Sequence, residues 1–104
     1  MSDNFSVVIR LYRSKSRIIP KEFFRVYGKD RVKRLHKELA ETQRLVSNEN
    51  GMRMPSYSDT SRLCDFYGHK IDKEEFEKLS LSGELIQEWT ERSKGYGYEE
   101  YKLE

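Results

Sequence analysis

One segment near the start of the chain constrains the fold most. Residues 5–13, FSVVIRLYR, alternate apolar and mixed positions with the period of two that a β-strand requires. The apolar face is formed by Phe5, Val7, Ile9 and Leu11. Because a lone strand leaves its backbone N–H and C=O groups unpaired, this segment must find strand partners.

Two later segments are the candidate partners. Residues 62–67, RLCDFY, are short, rich in apolar side chains and closed by Gly68. Residues 96–103 place Tyr96 and Tyr98 in alternation and are predicted to form a terminal strand with a bulge. The sequence leaves open whether this last strand is internal or is offered to a partner. Without an internal partner, residues 5–13 would pair with a second copy and form a homodimer through an edge strand.

Two helices are predicted before the middle of the chain. Residues 20–27 are expected to form a short helix that begins at Pro20 and ends at Gly28. A longer helix is predicted for residues 30–46, with Asp30 as its N-cap. Its core stripe consists of Val32, Leu35, Leu39 and Val46.

A third helical pattern begins at Asp72, which fits a capping box with Glu75. Its apolar positions run from Phe76 to Trp89, and the Ser- and Gly-containing segment 80–83 predicts a kink or the junction of two helices. These elements predict an α+β fold with a small two- or three-stranded antiparallel sheet packed against three or four helices.

The length of 104 residues fits a single domain, 1–104. Its composition changes along the chain, which suggests four regions within that domain. These are a basic strand-helix region (1–46), a loop (47–59), an acidic helical region (60–94) and a Tyr-rich terminal strand (95–104).

The charge of the chain is strongly polarised. Residues 1–37 carry 11 Lys and Arg against 3 acids, a net of 11 − 3 = +8, whereas residues 38–104 carry 9 against 15, a net of −6. This asymmetry favours an anionic partner for the basic third, or a fold in which the two regions neutralise each other. The predicted residues for binding nucleic acid or another anion are Arg10, Arg13, Lys15, Arg17, Arg31, Lys33, Arg34 and Lys37.

A less specific explanation of these charges is a solvated helix face. Arg34 and Glu38, and likewise Lys37 and Glu41, are spaced i,i+4 and could pair along their own helix. The acids of the last third have alternative explanations as well. They contact a basic surface of another protein, they mimic nucleic-acid phosphates and block such a surface, or they simply favour the N-terminal turns of helices. The predicted protein-interface residues are the tyrosines Tyr96, Tyr98 and Tyr101.

The remaining chemistry-bearing residues give no catalytic or metal-binding motif. Cys64 is the single cysteine, so no intramolecular disulfide can form, and a reducing, cytoplasmic location is expected. His69 forms a loose group with Cys64 and Asp65, but the spacing matches no zinc site, and His36 fits the boundary of a helix core. No metal, no cofactor, no signal peptide and no membrane span are predicted.

The sequence therefore predicts a small, non-enzymatic interaction or regulatory protein that binds another macromolecule, a protein or a nucleic acid, through charge-polarised surfaces. Short, charged chains without motifs are often accessory proteins of phages and mobile elements, and this profile fits that viral class by association. The alternative is a nucleic-acid-binding protein that uses the basic N-terminal third. A hydrolase that uses His36 or His69 with a nearby acid is a third, disfavoured hypothesis.

Overall fold

In a computed structural model of the protein, which describes residues 5–13, 22–50, 57–91 and 96–103, five strands form one antiparallel sheet and three helices cover its faces. The prediction of a two- or three-stranded sheet is therefore wrong, because two segments expected to be helical and the short segment 69–71 are strands. None of the described helices has the length and apolar character needed to cross a membrane. The elements are β1 (Ser6–Arg13), β2 (Glu22–Tyr27), α1 (Lys29–Asn50), α2 (Tyr57–Tyr67), β3 (His69–Ile71), α3 (Lys73–Leu81), β4 (Glu84–Glu91) and β5 (Tyr96–Leu103).

The predicted first strand is confirmed as β1, at the centre of the sheet order β3-β2-β1-β5-β4. It pairs with β2 on one side and with β5 on the other. Ile9 lies in the core that includes α1 and α2, while Val8 lies in the core that includes α3, and both are buried. Since both of its edges are occupied, β1 has no free edge for pairing with a second copy.

The sheet separates two cores. Helices α1 and α2 cover one face, and α3 covers the other. The larger core, beneath α1 and α2, contains Val7, Ile9, Leu11, Phe24, Val26, Val32, Leu35, Tyr57, Cys64 and Tyr98. The smaller core, beneath α3, contains Val8, Phe23, Phe76 and Leu103.

The short helix predicted for residues 20–27 is wrong, because residues 22–27 form strand β2. Phe24 packs beneath α1 and α2, whereas its neighbour Phe23 packs against Phe76 of α3 with ring centroids 5.1 Å apart. Burial on both faces hides the alternation that would reveal a half-exposed strand. Gly28, expected to end a helix, has a left-handed backbone (φ 89°) and instead turns the chain from β2 into α1.

Helix α1 is longer than predicted: it begins at Lys29 and ends at Asn50, so it includes the start of the predicted loop 47–59. Helix α2 includes the end of that loop and replaces the strand predicted for 62–67. Its buried residues Tyr57, Thr60 and Cys64 are spaced three and four apart, which is helical spacing. Because the predicted loop 47–59 includes Tyr57, the helical spacing of these three residues is not apparent from the predicted segments.

The second half of the third predicted helix is a strand. Helix α3 ends at Leu81, and the chain then forms β4, which includes Trp89. Strand β5 is confirmed, and it lies between β1 and β4, so it is an internal strand. An irregularity in the pairing of β4 with β5, between Leu85 and Gln87, breaks the alternation of β4.

The predicted N-cap of α3 is confirmed, and it gives a simple test of the helix. An Asp72 carboxylate oxygen accepts a hydrogen bond from the backbone N–H of Glu75 at 2.7 Å. We expect Asp72→Ala to lower the free energy of unfolding by about 1 kcal/mol, measured by urea denaturation, because one N-terminal donor loses its acceptor. Asp72→Asn should retain most of the stability, and an equal loss in both variants would contradict this role.

Candidate binding surface on helices α1 and α2

Helix α1 presents cationic side chains to solvent because its apolar stripe is buried against the sheet. Val32 and Leu35 lie in the core, and Leu39 packs against it. The four predicted cations of this helix span seven residues, a rise of about 9 Å along the axis. All four are exposed: Arg31, Lys33, Arg34 and Lys37.

These cations have no partner in the ion pairs of the described residues. Neither the Arg34–Glu38 pair nor the Lys37–Glu41 pair that the spacing suggests forms within ion-pair distance there. Glu38 instead accepts a hydrogen bond of 3.4 Å from the Tyr67 hydroxyl of α2. The charge on this stretch of α1 is therefore available to an anionic group of another molecule.

A groove runs between α1 and α2. Its larger depression, of about 550 Å³, adjoins a second depression of about 260 Å³, and Glu38 and Tyr67 line both. The larger one is also lined by Arg34, Lys37 and Glu41. The smaller one is also lined by Arg62, Leu63 and Phe66. We name the residues of these two depressions, together with Arg31 and Lys33, the α1–α2 surface.

Phe66 is the most exposed aromatic side chain of this surface, with 76% of its area accessible. Its ring meets Tyr67 edge-on, with centroids 4.9 Å apart. A single exposed apolar side chain is ordinary on a protein surface. Phe66, however, lies in a concave groove with Leu63 and beside cations, which is how an interface places an aromatic anchor.

Tyr67 connects the two helices at the centre of the groove. The pKa of its hydroxyl is raised because the group is partly removed from water and lies beside the Glu38 carboxylate, while Arg34 acts in the opposite direction. Tyr67 therefore stays protonated at physiological pH and keeps its donor for Glu38. This contact directs the Glu38 carboxylate toward Tyr67 of α2.

The orientation of α1 depends on a contact with the sheet that the sequence did not reveal. His36 Nε2 lies 2.8 and 2.9 Å from the two carboxylate oxygens of Glu100 on β5, and Glu100 is only 1% exposed. The hydrogen bond to Glu100 raises the pKa of His36, against the opposing effect of burial. The pair holds one side of α1 over β5 and thereby directs the cations outward.

Helix α2 has its own contact with the sheet. The Ser61 hydroxyl donates a hydrogen bond of 2.6 Å to the Glu22 carboxylate of β2, and Lys70 Nζ of β3 lies 3.8 Å from the same carboxylate. These contacts position α2 beside α1, and with them the exposed Phe66. The groove is thus formed by two helices that are each held to the sheet by a polar contact as well as by the core.

The two histidines of the hydrolase hypothesis lie on opposite faces of the sheet. His36 lies on the α1 face of the sheet, whereas His69 lies on the α3 face. The His69 ring stacks on the ring of Tyr27, with ring centroids 5.7 Å apart. Cys64 is buried in the core, and burial together with the nearby Glu100 and Glu22 raises the pKa of its thiol. A thiolate nucleophile is therefore disfavoured. Among the described residues, no group of three potential metal ligands occurs.

Arg10 is separated from the cations of α1 by the thickness of the sheet. On the α3 face, it forms an ion pair with Glu99, and its guanidinium lies 5.8 Å from the ring centroid of Phe76. Arg13 is the last residue of β1, but its side chain, like Lys15 and Arg17, lies outside the described portion of the chain. Of the eight predicted anion-binding residues, the four on α1 share one exposed stretch of helix, and Arg34 and Lys37 line the same depression.

The predicted interface tyrosines lie on β5. Tyr98 is buried in the core beneath α1 and α2, and burial together with Glu100 raises the pKa of its hydroxyl. Tyr101 is half-buried and packs against Phe76, with ring centroids 5.8 Å apart. Tyr96 pairs through its backbone with Arg13 and Glu91, while its side chain lies outside the described portion.

Neither the exposure of Phe66 nor the groove was predicted from the sequence. The strand predicted for residues 62–67 would place Phe66 on the same face as Cys64, since residues two apart in a strand share a face. A helical assignment places Cys64 on the buried side and turns Phe66 away from it, since two residues advance a helix by about 200°.

No protein-family model, no curated protein and no solved structure matches this chain. The class that can be stated is a small α+β domain, in which a five-stranded antiparallel sheet has two helices on one face and one on the other. The α1–α2 surface is interpreted from its own geometry.

Proposed function

We propose that this protein is a non-enzymatic interaction domain that binds an acidic segment of another protein across the α1–α2 surface. The observation that carries the proposal is Phe66, which is exposed in a groove whose α1 wall bears cations without ion-pair partners among the described residues. An aromatic anchor beside a cationic wall fits a partner that has an apolar side chain flanked by Asp or Glu.

The two components of the surface contribute in different ways. Full burial of a Phe side chain contributes about 1.5–3 kcal/mol, so Phe66 supplies affinity. The cations of α1 attract an acidic partner, accelerate association and favour one orientation, and salt screens this effect. Affinity should therefore depend on Phe66 at all salt concentrations, and the association rate should fall as salt is added.

The carboxylates of the groove favour a protein over a nucleic acid. Glu38 and Glu41 line the larger depression beside Arg34 and Lys37. Regularly spaced phosphates would meet these acids as well as the cations, whereas a protein segment can place neutral or basic side chains there. Nucleic-acid binding remains the second candidate because four exposed cations lie within about 9 Å along one helix.

Four labelled probes distinguish these candidates in fluorescence titrations at low and moderate salt. They are a short acidic amphipathic peptide of Glu and Leu with one Trp, its Lys counterpart, a single-stranded oligonucleotide and the matched duplex. At moderate salt, we expect the acidic peptide to bind more tightly than the other three probes. Binding of the oligonucleotides alone, with a steep salt dependence, would support the nucleic-acid candidate instead.

Single variants then test the groove itself. We expect Phe66→Ala to weaken binding of the acidic peptide by at least about tenfold, because an exposed anchor is lost without disturbing the core. Leu81→Ala, an equally simple truncation of an exposed side chain on α3, is the matched control and should leave the affinity unchanged. Equal losses in the two variants would contradict a site between α1 and α2.

The cations are tested in the same way. Arg34→Glu combined with Lys37→Glu should weaken the acidic peptide and reduce its salt dependence, since two charges of the α1 wall are reversed. Lys78→Glu on α3 is the matched control for a surface charge reversal. An unchanged salt dependence in the double variant would show that α1 does not attract the peptide.

A further inference from the structure

Strand β4 is the outermost strand at one side of the sheet. It pairs with β5 along one edge, and the structure describes no strand against its other edge. Strand β3, at the opposite side of the sheet, has only three residues, whereas β4 has eight. A strand of that length presents a row of backbone donors and acceptors that can pair with an added strand.

Exposed apolar side chains cluster where β4 begins. Leu81, at the end of α3, is 88% exposed, and Leu85 and Ile86 of β4 are 47% and 42% exposed. Five large hydrophobic side chains of the described residues are exposed, and these three lie within six positions of one another. Such a patch beside an open sheet edge is typical of a binding surface rather than of isolated exposure.

The charge of the strand indicates the chemistry of its partner. Three of the eight residues of β4 are glutamates, Glu84, Glu88 and Glu91, and none is Lys or Arg. We propose that the open edge of β4 binds an extended segment of another protein that carries Lys or Arg and apolar side chains. The segment adds a sixth strand to the sheet, its apolar side chains pack beside Leu85 and Ile86, and its cations offset the negative charge of β4.

A second copy of the chain is a poorer occupant of the same edge. Antiparallel self-pairing about the middle of β4 places Glu84 opposite Glu91, and like charges directly opposite each other destabilise a strand pair. This repulsion opposes self-association and leaves a basic strand as the complementary partner.

This site is independent of the α1–α2 surface, since its charge is of the opposite sign and its affinity comes from backbone pairing. The test uses the full chain and three peptides of equal length. The first alternates Lys and Val, the second alternates Glu and Val, and the third is the Lys peptide with every backbone nitrogen methylated. Binding is measured by fluorescence, and the site is located by amide hydrogen exchange of β4.

We expect the Lys peptide to bind and to slow amide exchange in Glu84–Glu91, whereas the Glu peptide and the methylated peptide do neither. Glu84→Lys combined with Glu88→Lys should weaken the Lys peptide by about tenfold or more, through reversed charge at the edge. The matched control, Glu74→Lys combined with Glu77→Lys on the exposed side of α3, should bind like the wild type.

Three results would overturn the inference. They are equal binding of the Lys and methylated peptides, equal losses in the two double variants, and slow exchange of β4 without peptide in a chain that sediments as a dimer. The last result would assign the edge to a second copy. Phe66→Ala should leave this binding unchanged, so failure here and failure of the proposed function can be told apart.

Discussion

Replacement of His36 by alanine is expected to lower the free energy of unfolding by about 2–3 kcal/mol, because it leaves a buried carboxylate without its partner. Glu100 is almost completely buried, and both of its carboxylate oxygens lie within hydrogen-bond distance of His36 Nε2. The expected loss is below that of a fully buried ion pair because His36 is about one-third exposed. Urea denaturation at neutral pH measures it.

His69→Ala is the matched control, because His69 is exposed and contacts Tyr27 rather than a carboxylate. Its loss should stay within about 0.5 kcal/mol, as for most surface substitutions. A double variant tests the cause more sharply. If the loss in His36→Ala comes from an uncompensated buried charge, then His36→Leu combined with Glu100→Met should be more stable than His36→Ala alone. An equally unstable double variant would assign the loss to packing.

The same pair predicts the direction of the pH dependence. Because the pKa of His36 is raised in the folded protein, its contribution is fully present below the unfolded pKa of about 6.5 and is lost as the pH rises through the folded pKa. The neighbouring Cys64 and Tyr98 have raised pKa values and stay neutral in this range. Stability should therefore decline above pH 6.5 in the wild type and decline less in His36→Ala. A wild-type stability that rises above pH 6.5 relative to that of His36→Ala would contradict the stabilising role of the His36–Glu100 pair.

Gly68→Ala should lower the free energy of unfolding by as much as His36→Ala or more. A Cβ atom at this position would lie 2.3 Å from the carbonyl oxygen of Arg25 and 2.7 Å from a methyl carbon of Val26. The nearest obstacle is the backbone of β2, which cannot move without disturbing the centre of the sheet. We expect a loss of about 3 kcal/mol, at the upper end for overpacked sites, measured by urea or thermal unfolding.

Gly83→Ala is the matched control for this substitution. Its Cβ would meet its nearest atoms at 3.1–3.2 Å, and one of them is a terminal methyl group of Leu103 that can shift. We expect the control to lose less than half as much stability as Gly68→Ala. Equal losses at the two positions would mean that α2 and β3 do not approach β2 as closely as the structure has them.

The sequence predicted the elements whose periodicity is unambiguous. Strand β1 alternates clearly, and α3 begins with a side-chain cap at Asp72. Strands β2 and β4 could not be recognised in the same way. Both faces of β2 are buried, and its adjacent residues Phe23 and Phe24 are both apolar. The segment therefore lacks the alternation of a half-exposed strand. The irregularity in β4 makes its apolar residues fit a helix as well as a strand.

The candidate site was predicted only incompletely. The clustering of cations on α1 follows from sequence spacing alone, because a single helix carries them. The position of Arg10 on the opposite face of the sheet depends on the pairing of β1 with β2 and β5, which local sequence does not specify. The His36–Glu100 contact joins residues 64 positions apart, and no local sequence pattern predicts such a pair.

A docking site between α1 and α2 can be located by mapping backbone amide chemical shifts during titration with the acidic peptide probe, recorded on the isotopically labelled full chain. We expect the largest changes to fall on residues 31–41 of α1 and 62–67 of α2 and to disappear in Phe66→Ala. Changes confined to α3 or β4, or an unchanged map in Phe66→Ala, would contradict a docking site between these two helices.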